Sequence, residues 1–485
     1  MTTTQDKKTS RIAYLVAAAF FMENFDATVI TTALPPMANS FAVAPTALSA
    51  GISAYLLALA VFIPISGWVA DRFGPRPVFA GAIVVFTLAS VACGLAQTLP
   101  TFVAARILQG IGGALMVPVG RMVVLRTTPR EGIVRAIATI TWPGLAAPLL
   151  GPPLGGWIAT HFSWHWIFFI NLPLGIVAMA LALRWIADND NDSSSSSSNS
   201  ASAARRPFDW TGFITSGAGL AAVMVAVDGV SQPGANLARS AAIGAAGAAL
   251  LVFTVWHLRR TAHPLVNLSV FGVRTFRASA IGGSLSRISI SSVPFLLPLM
   301  FQLGFGFGMV QSGLLMLALF AGNIGIKPAT TWVLRRFGFR STLVGNGLLA
   351  ALGFAGCAWL SADTPLALML AVLVFGGMTR SMQFTAVGTL AFADTSKDQA
   401  GGASTLFSMF QQLGAGLGIA LGALALRAAQ LVSGHAGEPT APDFRFALAA
   451  MGLLTLLSLL DAWRLPADAG ERVSGHRSAF AKKAP

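Results

Sequence analysis

The 485-residue chain is 55% hydrophobic and only 10% charged, with a mean hydropathy of +0.70. Soluble globular proteins carry roughly 25% charged residues, so an ordinary soluble enzyme and a disordered chain are both excluded, and a membrane protein of many spans is indicated. The net charge of +14 does not point to nucleic acid as a partner, because the basic residues sit between apolar runs and not on one polar face; in a membrane protein they mark cytoplasmic loops.

A bilayer-spanning helix needs about 20 mostly apolar residues. Fourteen such stretches are predicted: 12–34, 47–69, 78–97, 101–125, 136–159, 165–186, 210–228, 238–257, 277–300, 310–333, 341–360, 366–391, 401–426 and 444–464. Glu23 and Asp26 interrupt the first, and no small-residue cleavage site follows it, so it reads as a retained span and not a signal peptide. Arginines and lysines fall in alternate loops: Lys7, Lys8 and Arg11, then Arg72 and Arg76, Arg126, Arg130 and Arg135, Arg205 and Arg206, Arg259 to Arg277, Arg335 to Arg340, and the tail from Arg464. The loops near 35–46, 98–100, 229–236 and 301–309 hold none. This alternation predicts an even span count with both termini cytoplasmic. Residues 187–207, with the serine run Ser193 to Ser198, read as a flexible linker. Cys93 and Cys357 both lie in apolar runs and offer neither a disulfide framework nor a metal cluster.

The stretch Val69-Ala70-Asp71-Arg72-Phe73-Gly74-Pro75-Arg76 recurs as Val333-Leu334-Arg335-Arg336-Phe337-Gly338-Phe339-Arg340. Each copy follows the second span of a six-span block, which suggests two halves related by duplication, as in transporters whose substrate site lies near the bilayer midplane. The predicted organisation is an N-terminal six-helix half (1–186), the linker (187–207), two inserted helices (208–260) and a C-terminal six-helix half with its tail (261–485).

Five motifs, in order, carry a family resemblance. They are Asp26-Ala27-Thr28-Val29-Ile30 with Ala33-Leu34-Pro35, Gly67 through Arg76, Arg106-Ile107-Leu108-Gln109-Gly110, Gly144 through Gly151-Pro152-Pro153-Leu154-Gly155-Gly156, and Trp164 through Gly175. Together they resemble the 14-span drug:proton antiporter branch of the major facilitator superfamily over nearly the whole chain. His165 departs from the arginine more usual in the last motif. The run Val117-Pro118-Val119-Gly120-Arg121 and the pair His165-Trp166 are similar to one exporter group within that branch. The resemblance implies an all-α major facilitator fold with fourteen helices arranged 6+2+6.

Each motif also has a physical reading. Asp71, beside Arg72 and Arg76 at a helix end, suits a gate that holds one state of a transport cycle; as an alternative, the cluster only sets topology. Gly67 and Gly74 suit tight packing and a sharp turn. Gly144, Pro148, Gly151, Pro152, Gly155 and Gly156 make a bent helix that neighbours can approach closely. The resemblance assigns this seam to exporters, where it limits leakage; physics alone leaves the direction of transport open.

Charges at membrane depth must face a cavity or a partner. Glu23 and Asp26 share one helix face at i and i+3, and Asp26 lies about 21 Å along the helix from Ile12. A buried carboxylate can load and release a proton, so Asp26 is the first candidate for proton coupling and Glu23 the second. The alternative for Asp26 is a structural bond to a neighbouring helix or to Arg106. Arg106 either modulates that carboxylate, as the resemblance implies, or snorkels outward. Arg287, Arg380, Lys327 and Arg121 also fall within spans; if they line the cavity, they favour an anionic substrate.

The expectation is a proton-coupled antiporter exporting small molecules across the plasma membrane, a bacterial inner membrane by resemblance, and of multidrug type by resemblance. The alternative is a specific exporter of an anionic metabolite or metal chelate such as citrate or iron-citrate. No nucleophile–base pair or H-E-x-x-H supports an enzyme. Channel-type charge rings are absent, and no P-loop supports a pump. No cofactor or metal is expected. The partners expected are the small-molecule substrate, protons and the lipid bilayer, not nucleic acid, and the protein is expected to act as a monomer.

Overall fold

The computed structural model describes residues 4–128, 133–185, 207–231, 236–262, 264–395, 399–434, 437–466 and 469–471. Apart from Pro207, the linker lies outside them. Every regular element among the described residues is helical. In chain order these are α1 (Thr4–Val29), α2 (Leu34–Phe41), α3 (Ser49–Phe62), α4 (Ile65–Phe73), α5 (Pro75–Leu95), α6 (Leu99–Thr127), α7 (Ile133–His161), α8 (Trp166–Phe169) and α9 (Asn171–Trp185). There follow α10 (Trp210–Ser231), α11 (Leu237–Arg260), α12 (Arg274–Arg277), α13 (Gly283–Leu299), α14 (Met309–Gly325), α15 (Lys327–Trp359), α16 (Leu366–Phe392), α17 (Ala400–Ser433) and α18 (Ala441–Trp463). Twelve runs among the described residues are long and apolar enough to cross a membrane.

Proline and glycine explain where the predicted spans break. The stretch predicted at 47–69 divides at Pro64, between α3 and α4. That at 310–333 divides at Ile326, because Pro328 sits in the first turn of α15 and has no N–H to continue the ladder. α15 is itself two rods joined at Gly338, whose φ of 72° is open to glycine. Gly74 joins α4 to α5 with φ 88°. The two copies of the sequence repeat therefore turn the chain on the same left-handed glycine.

The chain forms two compact units. The first comprises Met1–Val43, Ala50–Ala221 and Gly247–Leu265; the second comprises Ala44–Ser49, Ala222–Ala246 and Val266–Pro485. Lipid tails are as apolar as leucine, so helices associate in a membrane through close packing and hydrogen bonds. In the first unit, a Cβ on Gly112 of α6 would stand 2.7 Å from the Phe86 backbone nitrogen of α5, and one on Gly110 would stand 2.6 Å from the Tyr55 carbonyl oxygen of α3. Glycine thus lets α6 touch two neighbours backbone to backbone. The stripe Ile12, Val16 and Phe20 of α1, spaced i, i+4, i+8, is buried in one core with Phe79 and Ile83 of α5. In the second unit, Gly322 of α14 lies against the Val374 carbonyl and Gly377 of α16 against the Leu319 carbonyl, a reciprocal contact that no larger residue permits.

Asp209 ties together the ends of α10 and α11 that lie in the first unit. Its Oδ1 accepts from the Gly212 N–H at 2.8 Å and contacts His257 Nε2 of α11 at 2.8 Å, while Oδ2 accepts from the Leu265 N–H at 3.1 Å. Burial pushes this carboxyl up. The donors of Gly212, His257 and Leu265 outweigh burial and hold it below its ordinary value.

Candidate functional site

α1 positions Asp26 just before the helix tightens into a 3₁₀ turn at Ile30–Thr32. The carboxylate is fully buried and draws on two other helices. Arg106 Nη1 of α6 donates to Oδ2 at 2.5 Å; Gln109 Nε2, one turn along α6, donates to Oδ1 at 2.8 Å; Asn171 Nδ2 of α9 donates to Oδ1 at 2.9 Å. Arg106 Nη1 also reaches Gln109 Oε1 at 2.6 Å, and Asn171 Nδ2 reaches Ser90 Oγ of α5 at 2.9 Å. The Tyr55 ring of α3 lies 4.2 Å from the guanidinium carbon of Arg106, within cation–π range. Arg106 is itself fully buried, which removes the snorkelling alternative.

Glu23 sits one turn earlier on α1. Its Oε2 is buried without a hydrogen-bond partner, as is the Tyr55 hydroxyl. Glu23 Cδ and Tyr55 Oη each lie 3.5 Å from the place a Cβ on Gly113 would occupy, so two unbonded polar groups converge where α6 carries no side chain. Arg121, further along α6, is exposed and lies 5.7 Å from the Phe20 ring.

α7 holds the other side of α1. It stays helical through Pro143, Pro148, Pro152 and Pro153. A Cβ on Gly151 would collide with Thr28, and one on Gly155 with the Val29 carbonyl and with Thr32 Oγ1 at 2.9 Å. Thr32 Oγ1 donates to the Pro152 carbonyl at 3.1 Å. A Cβ on Gly144 would stand 3.5 Å from Asn24 Nδ2, and the Gly156 carbonyl accepts from Thr160 at 2.7 Å. The predicted seam is therefore a contact with α1, the helix that carries both carboxyls. At the turn after α4, Arg72 lies 5.9 Å from the Trp68 ring and Arg76 Nη2 donates to the Leu183 carbonyl at 2.7 Å. Asp71 precedes them in the last turn of α4.

The second unit treats its cations differently. Arg287 of α13 is 2% exposed, yet Nε, Nη1 and Nη2 all lack a hydrogen-bond partner. Its stem packs on Gly414, and its guanidinium carbon lies 4.9 Å from the Phe407 ring. Turns of π-helix at Ala278–Gly282 and Met300–Gly304 flank α13, a deviation that often marks functional positions. Arg380 of α16 lies between Phe320 and Phe384, 5.7 and 5.8 Å from their rings, with Nε and Nη1 unbonded. Lys327 Nζ donates to Thr385 Oγ1 at 2.8 Å.

The structure thus brings Asp26, Glu23 and Arg106 together in one unit. Gln109, Asn171, Ser90 and Tyr55, which the sequence reading left without a role, complete the cluster. Their signal was polarity inside apolar runs, with Gln109 at i+3 from Arg106.

The family model described as Major Facilitator Superfamily matches residues 16–419. The chain belongs to the major facilitator superfamily. A relative from Cronobacter sakazakii, named "Putative multidrug resistance protein MdtD", is 39% identical over 423 residues, 86% of each chain. The "Probable transport protein HsrA" of Haemophilus influenzae is 36% identical over 427 residues, 87% of this chain and 89% of that one. Among solved structures, an auto-inhibited POT family peptide transporter superposes with a TM-score of 0.65 at 16% identity, over 95% of this chain and 97% of the other. The protein is accordingly a multi-pass membrane transporter of this superfamily with relatives named for multidrug resistance. MdtD is the exporter group that the Val117–Arg121 run and His165-Trp166 resemble.

Proposed function

We propose that the protein is a proton-coupled antiporter that exports small molecules across a bacterial inner membrane by alternating access. The observation that carries this reading is the buried Asp26–Arg106 pair, braced by Gln109 and Asn171, with the Glu23 carboxyl one turn away. Ionisable groups at membrane depth are costly and mark ion pathways. A proton arriving on Asp26 removes the charge that Arg106 Nη1 contacts, so protonation exchanges one arrangement of α1, α6 and α9 for another. Glu23, with its unbonded oxygen, relays or shares that proton. Asp71, Arg72, Gly74 and Arg76 act as the gate that favours one state. The glycine–proline seam of α7 fixes α1 while Asp26 changes partner.

Fourteen spans in a 6+2+6 order fit this reading. The twelve long apolar runs are supplemented by α14, which is apolar but only 17 residues long, and by α7, of 29 residues. With both termini cytoplasmic, the arginine-bearing turns at Gly74 and Gly338 fall on the same side.

A second reading concerns the substrate. The unbonded guanidinium donors of Arg287 and Arg380 favour an anion, because a planar fork of N–H groups matches a carboxylate or phosphate. Lys327, in the same unit, would add positive charge to that path, whereas Arg121 lies in the first unit.

Proteoliposomes with an imposed pH gradient test both readings. Asp26→Asn should abolish gradient-driven transport while the protein stays folded; full proton-driven transport by this variant would overturn the coupling role. Substrate-induced proton movement by anions but not by cationic dyes would select the anionic reading, and the reverse would return Arg287 and Arg380 to structural roles.

A further inference from the structure

The second unit carries a groove of about 400 Å³, lined by Ile326 and residues of α15 and α16. Phe337, Ser341, Gly345 and Leu349 of α15 run along it and are all exposed, and Phe375 of α16 closes its far wall, also exposed. From Ser341 to Leu349 the helix rises about 12 Å. In a membrane transporter such an exposed, apolar face meets lipid. Three further features make this groove more than a lipid-facing surface.

The first is Gly345. A Cβ there would meet nothing within 4 Å, so this glycine is not required by packing, and its effect is to keep the groove open. The second is Thr342. It lines the groove and is 5% exposed, yet its Oγ1 has no hydrogen-bond partner. Leaving a buried hydroxyl unbonded is unfavourable, and a carbonyl acceptor entering the groove would relieve that cost. The third is charge. Arg336 and Arg340 do not line the groove but immediately precede the lining residues Phe337 and Ser341 in the chain, and Arg336 is exposed. Trp332, 63% exposed, is edge-on to Phe337 with ring centroids 6.2 Å apart; tryptophan is enriched at the headgroup level of bilayers.

We propose that this groove is a binding site for an anionic phospholipid. The acyl chain lies along Gly345, Leu349 and Phe375. The glycerol ester carbonyl accepts a hydrogen bond from the Thr342 hydroxyl. The headgroup phosphate meets Arg336 and Arg340. Apolar groove, ester-level hydroxyl and headgroup-level arginines follow one another in the order a phospholipid presents its own parts. Basic pockets at the cytoplasmic ends of membrane helices take anionic headgroups, and the repeat places two to three arginines at this turn. The site is independent of the transport coupling proposed above.

Native mass spectrometry of the full chain in detergent, titrated with phosphatidylglycerol, cardiolipin and phosphatidylethanolamine, tests the assignment. The wild-type protein should retain the two anionic lipids at concentrations about 25-fold lower than phosphatidylethanolamine, since the two arginines near the surface contribute about fivefold each. Gly345→Phe fills the groove and should remove the tight site for all three. Arg336→Gln and Arg340→Gln should each weaken the anionic lipids about fivefold and phosphatidylethanolamine, whose ammonium offsets its phosphate, by less. Thr342→Val should weaken all three equally. Equal binding of the three lipids by the wild-type protein would overturn the proposal, as would undiminished lipid retention by Gly345→Phe or displacement of the lipid by an apolar transport substrate. If Gly345→Phe fails to fold, the Arg336→Gln/Arg340→Gln double variant decides: unchanged affinity for the anionic lipids overturns the site.

Discussion

The first unit buries an arginine against a carboxylate; the second buries one against a phenylalanine ring. Arg106 meets Asp26 at 2.5 Å within a network drawn from four helices. Arg287 is as deeply buried but offers every guanidinium nitrogen to nothing within hydrogen-bond reach. A compensated charge is changed from within, by a proton on its partner. An uncompensated one is satisfied from outside, by a ligand that brings the missing negative charge. On the function proposed above, the contrast would divide the transport problem between energy coupling in one unit and recognition in the other.

The sharpest way to break this comparison is to remove the arginines one at a time. Losing one partner of a buried pair costs roughly 3–5 kcal/mol, because the other charge is stranded. Arg106→Ala should therefore lower thermal stability strongly, and Asp26→Asn/Arg106→Gln, with both charges gone, should recover most of it without recovering proton-driven transport. If the double variant transports normally, the pair is architectural. Arg287→Leu should have the opposite sign. It removes a buried cation that has no partner, so stability should hold or rise. Anion binding should fall by roughly 10- to 100-fold, the value of one hydrogen bond to a charged group, while cation binding stays unchanged. A loss of stability at Arg287→Leu equal to that at Arg106→Ala would erase the distinction between the units.

A smaller effect tests how α1 is held. Gly155 of α7 touches the Val29 carbonyl and Thr32, whereas Gly67 of α4 has nothing within 4 Å of its would-be Cβ. Gly155→Ala should cost about 1–3 kcal/mol through overpacking and slow transport, measured by thermal unfolding and by uptake into everted vesicles. Gly67→Ala should leave both nearly unchanged. Equal tolerance of the two would mean that the α1–α7 seam is loose.

Much of this was legible in the sequence for identifiable reasons. Lipid demands long apolar runs, so the helices stood out, and arginines outside them marked the turns. The repeat carried its glycine because a sharp turn needs a left-handed residue, as Gly74 and Gly338 both are. Breaks inside spans were harder to read. Pro64 and Pro328 interrupt helices, yet Pro118, Pro143 and Pro148 lie inside unbroken ones, because neighbouring groups re-satisfy the backbone in a packed bundle. Asp26 and Arg106 were visible as costly charges. Their pairing stood only as one alternative, raised by the family resemblance, because they lie 80 positions apart in the chain and nothing in either local window specifies the other. Gln109 and Asn171 are uncharged, so the cost that betrays a buried ion did not single them out.

The mildest prediction concerns Asp209, which ties α10 to α11. Its carboxyl is held below its ordinary value in the folded chain, against about 3.9 when unfolded. A depressed carboxyl contributes stability that is fully present above the unfolded value and disappears as pH falls through the folded one. The wild-type melting temperature should therefore be insensitive to this group from neutrality down to about pH 4 and then decline. Asp209→Asn replaces an acceptor of three N–H groups by an amide that cannot accept from all of them. It should lower the melting temperature at pH 7 by about 2–4 °C per kcal/mol lost and flatten the decline below pH 4. Because Asp209 lies far along the chain from Asp26 and shares no bond with it, proton-driven transport at pH 7 should be unchanged in this variant. A fall in transport without a fall in stability would show that the inserted helices take part in coupling, and the division of labour between the two units would then need a third member.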